Sequence, residues 1–238
     1  MAKNVNIKLG ANIQDFQSKM KRVQNSFKKT ARSLKKTGRT MTMTLTAPLT
    51  AFAAASVKAF DTQAKAIAQV NQGLKTTGGQ VGRTSKELQQ MAADLQTKTL
   101  FGDEVILKDA TAQLLTFTNI TGKQFDRTQV AALDLATRLD GDLKSASIQL
   151  GKALNDPIAN LSALSRSGIQ FSEDQKEVIK SLADSGRLAE AQTIILDELE
   201  KQYGGSAEAA AKAGAGGLKQ LSNRFSDLME KIGEKLIP

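Results

Sequence analysis

Between Asn12 and Thr37 the apolar residues Ile13, Phe16, Met20, Val23, Phe27, Ala31 and Leu34 recur every three or four positions, which draws one stripe along a helix. At ~1.5 Å of rise per residue such a helix is about 39 Å long. A single stripe cannot bury itself. Ile13, Phe16, Met20, Val23, Phe27 and Leu34 are therefore a candidate partner-binding stripe, and their spacing also suits a coiled coil. Gly38 is placed to stop the helix. Before it, "NVNIKLG" alternates Val5, Ile7 and Leu9 with polar residues, the period of one short β-strand.

The next stretch, "TMTMTLTAPLTAFAAASVKAF" from Thr40 to Phe60, is uncharged between Arg39 and Lys58. Thr and Ala dominate it and Pro48 interrupts it, so it reads as a Thr-rich connector followed by a helix entered at Pro48 and running toward Leu74, rather than as a membrane span. "KTTGGQVGRTS" closes that helix and opens another, with Thr84 or Ser85 as N-cap and Glu87 in the first turn.

From there to Tyr203 the pattern is a train of short helices. Leu88, Met91, Ala92 and Leu95 mark the first. A second begins after Gly102 with Asp103 as cap and buries Val105, Ile106, Ala110, Leu114 and Phe117. Phe125, Val130, Leu133, Leu135 and Leu139 mark a third, and Ala146, Ile148, Leu150 and Leu154 a fourth. In "NDPIANL" Asn155 or Asp156 caps a helix that Pro157 starts. Gly168 ends it and Ser172 opens the next, with Glu173 and Asp174 at the positive end of its dipole. Leu188, Ala191, Ile194, Ile195 and Leu199 form a longer stripe closed by Gly204 and Gly205. The chain then bends at Gly214, Gly216 and Gly217 before a last helix with Leu221, Phe225, Leu228, Met229 and Ile232 on one side.

The fold class expected is mainly α: elongated N-terminal helices, then a compact multi-helix bundle, with one short N-terminal β-strand. The organisation expected is a basic strand and amphipathic helix over 1–40, a Thr/Ala-rich connector and helix over 41–83, a compact helical module over 84–204, and a C-terminal helical segment over 205–238 leading into further chain.

Composition narrows the chemistry. The 238 residues include no His, Cys or Trp, so imidazole bases, thiol nucleophiles and the commonest metal ligands are missing. Any chemistry would rest on carboxylates, Lys, Ser, Thr or Tyr203. The net charge of +9 is concentrated at one end. Residues 1–40 hold eleven Lys and Arg against the single acid Asp15, or +10, and the remainder holds 22 basic and 23 acidic residues, or −1. Lys28, Lys29, Arg32, Lys35, Lys36 and Arg39 are the candidate basic contact for DNA, an acidic protein surface or anionic lipid, set against the plainer reading of a solvated helix face.

The candidate catalytic groups read as structural. "DGD" at Asp140 to Asp142 lacks the remaining ligands of a calcium loop and reads as a turn. "GAGG" at Gly214 to Gly217 lacks the spacing of a phosphate loop. Asp103 with Glu104, and Asp197 with Glu198 and Glu200, could form a hydrolytic carboxylate pair. Adjacent acids on a helix point apart, however, so first-turn and solvent-face roles are expected. No catalytic, cofactor-binding or metal-binding residue is assigned, and no cofactor.

Several segments in succession resemble one family. They are "TLTAPLTAFAAASVKAFDTQAKAIAQV", "LQQMAADLQTKTLFGDEVILKDATAQLL", "AALDLATRLDGDLKSASIQLGKALNDPIANLSALSRSGIQFSEDQKEVIKSL", "AEAQTIILDELEKQYGGSAEAA" and "LSNRFSDLMEKIG". In this order, from Leu45 to Pro238, they resemble the N-terminal part of the tail tape measure proteins of tailed bacteriophages and prophages. The resemblance implies a non-enzymatic virion protein in several copies within the tail tube lumen, whose helical length sets how many tube rings assemble and which leaves ahead of the DNA. The partners it implies are further copies of itself, the tail tube and tail-tip or baseplate proteins, tail assembly chaperones in the host cytoplasm, and transiently DNA or the host membrane. Such proteins are usually much longer, so the chain is expected to be a piece or a short member. Its alternatives are a nucleic-acid-binding or membrane-active tail protein acting through residues 1–60, and a muralytic enzyme, for which no motif is present.

Overall fold

A computed structural model describes residues 18, 21–23, 25, 47–139, 142–166 and 168–237. Every regular element among them is helical, as the apolar periodicity requires. The chain divides into two units, 1–54 and 55–238. In the first, Ser18, Lys21 to Val23 and Asn25 are helical and Val23 is exposed. The rest of the candidate stripe, the basic contact residues, the strand at Val5 to Leu9 and the connector at 40–46 lie outside the described residues.

Helix α1, Ala47–Thr76, begins one residue before Pro48, which has no N–H to satisfy in a first turn. Gly78, Gly79 and Gly82 then take positive φ and turn the chain back. Helix α2, Ser85–Lys98, opens with a capping box: Thr84 Oγ1 accepts from the Glu87 N–H while Glu87 accepts from the Thr84 N–H. Helix α3 starts as Asp103–Val105, widens into a π-helical stretch at Ile106–Thr111 and closes with Ala112–Leu114. Helices α4, Gly122–Arg138, and α5, Leu143–Asn155, follow.

Polar residues open the next elements, at Asp156 and Ser172 as expected and also at Asp142 of the "DGD" turn. Asp142 caps α5 through the Ser145 N–H, and Asp156 Oδ1 accepts from the Ala159 N–H to start α6, Pro157–Arg166. Ser172 and Gln175 form a second capping box on α7, Glu173–Asp184. Helix α8, Leu188–Tyr203, leads into α9, Ser206–Lys212, and α10, Gly216–Leu236.

The core of the second unit surrounds α4, which packs against α3, α5, α8 and α9. Phe125, Ala132, Leu133 and Leu135 are fully or almost fully buried there, with Leu150 and Leu154 of α5 and Ile195 and Leu196 of α8. The same cluster takes in Ala66 and Val70 of α1 and Ala207 of α9, outside residues 84–204. Close approach is allowed where side chains vanish: the Phe117 ring lies over Gly151, where a Cβ would come within 2.2 Å of it.

Two expected apolar faces differ from the structure. On α4, Val130 and Leu139 are exposed while Thr128 and Gln129 are buried, because Gln129 accepts from Thr111 Oγ1 and donates to Met91 Sδ across the core. On α10, Leu221 and Phe225 of the expected stripe are exposed at 62 and 56%, beside Leu218 at 70%, while Met229 is buried as expected, together with Asn223 and Gly233. Gly233 lies on the inward face because the helix backbone there comes too close to α1 for a side chain.

Candidate functional site

The beginning of α3 is held by glutamines from two other helices. Gln96 of α2 accepts the Asp103 N–H at 2.8 Å through Oε1, and its Nε2 donates to both carboxylate oxygens of Asp227 on α10 at 3.0 and 2.9 Å. Gln63 of α1 donates to Asp103 Oδ2 at 2.8 Å. Asp103 is thus not the N-cap that the sequence suggests. Gly102 occupies that position without a side-chain cap, and the Asp103 carboxylate is turned toward α1.

Glu104 joins Asp103 instead of pointing away from it. Its carboxylate folds back over the bare Cα of Gly102, where an added Cβ would lie 2.5 Å from Glu104 Oε2. From α10, Glu230 completes the group: oxygens of Asp103, Glu104 and Glu230 lie within 4.8 Å of one another. Asp227 is one helical turn from Glu230 on the same face. Among the described residues, this is the group of three acids whose carboxylate oxygens gather around one point.

Its electrostatics are unbalanced. Arg83 pairs with Asp126, and Arg127 with Asp197 and Glu200, but among the described residues none of Asp103, Glu104, Asp227 and Glu230 is in an ion pair. Burial pushes the Glu230 carboxyl up to about 8, with the charges of Asp103, Glu104 and Asp227 adding to the shift and a hydrogen bond from Ser226 opposing it. Burial raises Glu104 too, as does the charge of Asp103. Asp227 is raised by burial, against the pull of the Gln96 amide. Asp103 Oδ1 and Gln63 Oε1 are fully buried acceptors without a donor. A buried acceptor without a donor is costly, and a proton or positive charge beside Asp103 Oδ1 would relieve it.

A shallow cleft of about 250 Å³ opens beside the group, lined by Ala55, Lys58, Ala59, Thr62, Glu104, Ser226 and Glu230. A carboxylic acid kept neutral beside an ionised one is the arrangement that glycoside hydrolysis uses. This cleft offers no aromatic ring for a sugar to stack on, and the Asp103 oxygen faces the helix junction rather than the opening. The group joins α3 to α10, with Glu104 and Glu230 in the wall of the cleft.

The other candidates are structural. Arg127 bridges Asp197 at 2.6 Å and Glu200 at 2.8 Å, and Glu198 accepts from Gln175 and Gln202. Asp142 of the "DGD" turn is a cap. "GAGG" is the bend between α9 and α10, with Gly214 at φ 51° and Gly216 too close to the Ala211 carbonyl for a Cβ. A second cleft, about 280 Å³, lies between Pro157, Ile158 and Leu161 of α6 and Lys176, Ile179 and Lys180 of α7. Among the described residues no helix is long and apolar enough to cross a membrane.

What the sequence reading missed is the convergence of Asp103, Glu104 and Glu230. Its signals were present: a glycine directly before two acids, and Asp227 and Glu230 at the helical spacing that puts both on one face. No protein-family model matches the chain, and no curated protein and no solved structure is significantly similar to it.

Proposed function

We propose that the chain is a structural protein of a bacteriophage tail, the N-terminal part of a tape measure protein. In this reading several copies occupy the lumen of the tail tube, fix its length during assembly in the host cytoplasm and leave ahead of the DNA. The observation that carries it is the ordered succession of segments from Leu45 to Pro238 that resembles that family. The helical fold supports the reading, since rise per residue makes a helical polymer a ruler. Leu218, Leu221 and Phe225 on α10 add an apolar seam suited to association between copies.

Residues 55–238 form one packed unit, so the measuring length belongs to other parts of the protein, and this unit docks or unfolds to fit the tube. The test is mass spectrometry of purified tails together with electron microscopy after disruption of the gene. Peptides from residues 55–238 in the particles, and tails of uncontrolled length or none without the gene, are expected. Tails of normal length from the disrupted gene would reject the proposal.

The +10 charge of residues 1–40 favours a second reading, nucleic-acid binding through Lys28, Lys29, Arg32, Lys35, Lys36 and Arg39. It requires DNA affinity that falls steeply with salt and is lost when that arm is removed.

A further inference from the structure

We propose that α10 is fastened to α1 and α3 by a proton shared among Glu230, Glu104 and Asp103, so that the end of the chain is a latch: closed while the group holds a proton, released when all its acids are ionised.

Polar contacts fasten much of α10 to the bundle. Its large apolar residues Leu218, Leu221 and Phe225 face away from the bundle. Toward α1 it offers Met229, whose sulfur accepts from Ser56 Oγ at 3.5 Å, and Gly233, which abuts the Ser56 carbonyl and the Phe60 side chain. Toward α2 and α3 it offers Asn223, Gln220, Asp227 and Glu230. Gln220 and Asn223 donate to the carbonyls of Thr97 and Leu100, and Asp227 accepts from Gln96. The attachment is therefore rich in polar contacts, and Asp103, Glu104, Asp227 and Glu230 stand among them.

Each packed element contributes to the charge around Glu230. From α1 come Lys58 and Thr62, which line the adjoining cleft, and the Gln63 amide. Helix α2 brings the Gln96 amide, which is already spent on Asp103 and Asp227. Helix α3 brings Asp103 and Glu104, and α10 itself brings Asp227, Ser226 and Lys231, the last acting on Asp227. Two amides and one hydroxyl are fixed donors. They leave Asp103 Oδ1 buried and unpartnered, and a carboxyl proton on neighbouring Glu104 or Glu230 is the donor it lacks.

Linkage then fixes the direction. Glu230 holds its proton more tightly when α10 is docked than when it is free in water, so docking takes up protons. Attachment is strongest below the ordinary carboxylate range, weakens as pH rises above it and is lost as pH passes about 8. At the upper end, several negative charges crowd one half-buried junction that Lys58 and Lys231 only border, and like charges at this spacing repel.

The test is amide hydrogen exchange on the whole chain between pH 6 and 10 in a chelating buffer, corrected for the base-catalysed intrinsic rate. Protection of residues 218–236 should fall by about tenfold or more as pH crosses 8, a full unit of linked titration, while α4 and α5 keep theirs. Glu230→Gln, a neutral isostere that can donate, should hold α10 protected over the whole range. Glu104→Gln should move the loss to lower pH, because the Glu104 charge helps to hold the proton on Glu230, and serves as the test if the first variant does not fold. Three results would overturn the latch: wild-type protection independent of pH, an unchanged transition in the folded variants, or restoration at pH 10 by millimolar magnesium or calcium alone, which would make a cation the occupant.

Discussion

Gly233 of α10 lies against Ser56 of α1 so closely that a Cβ on it would stand 2.1 Å from the Ser56 carbonyl oxygen and 2.8 Å from Phe60 Cβ. The obstacle is backbone, which cannot swing aside. In an exposed helix interior Gly→Ala would stabilise by up to ~1 kcal/mol. Here the substitution forces α10 outward, and overpacking of this kind costs about 1–3 kcal/mol. The sign separates the two cases. Gly233→Ala is expected to lower the urea midpoint, and a raised midpoint would show that the two helices do not meet there.

Asp134 ties together elements far apart in sequence. Buried in α4, it accepts from the backbone N–H groups of Gly205 at 3.1 Å and Ala207 at 2.8 Å, and so caps α9 from outside. Gly205, at φ 77°, turns those amides toward it. Asp134→Ala leaves two donors unsatisfied and should destabilise by ~1–3 kcal/mol. Asp134→Asn keeps one acceptor oxygen and should lose less. Equal losses in denaturant titrations of the two variants would mean that the side-chain volume, not the acceptor, matters.

The acid limb of stability belongs to other carboxylates. Hydrogen bonds from the Ser145 hydroxyl and N–H hold Asp142 below its ordinary value, and the Thr84 N–H and hydroxyl do the same for Glu87. Both are bound more tightly as anions in the fold than in the unfolded chain. Their contribution is complete above the ordinary carboxylate range and disappears as pH falls through the lowered values. Asp142→Asn retains a capping oxygen without the titration, so its stability should fall less steeply between pH 5 and pH 2 in thermal melts. A slope equal to that of the wild type would remove Asp142 from the acid response.

The difference between Asp142 and Asp103 shows what the sequence could reveal. Caps are local: Asp142, Asp156, Ser172 and Thr84 act on amides three residues ahead, so composition and spacing identify them. Asp103 sits in an equally good capping context, yet its partners are Gln63 and Gln96, brought there by the packing of α1 and α2. The same limit explains α10. Its periodicity announces an apolar face, but which face is buried depends on where Ser56 allows a backbone to approach, and the structure chooses the side with Gly233. Helix existence follows from local pattern, and convergence of carboxylates from three-dimensional packing.

Gly102 is the residue on which that convergence depends. In a regular helix adjacent side chains point about 100° apart, and Glu104 reaches the group only by lying over a Cα that carries no side chain. A methyl group there meets the far end of a flexible glutamate rather than backbone, so Gly102→Ala should fold with little loss, its φ of −71° being open to any residue. The displaced carboxylate should leave Asp103 and Glu230 with one charge fewer beside them. Titration of Glu230, followed by carboxyl carbon NMR, should then move from about 8 toward the ordinary range. An unchanged Glu230 titration in a folded Gly102→Ala protein would show that Glu104 does not depend on this gap to reach the group.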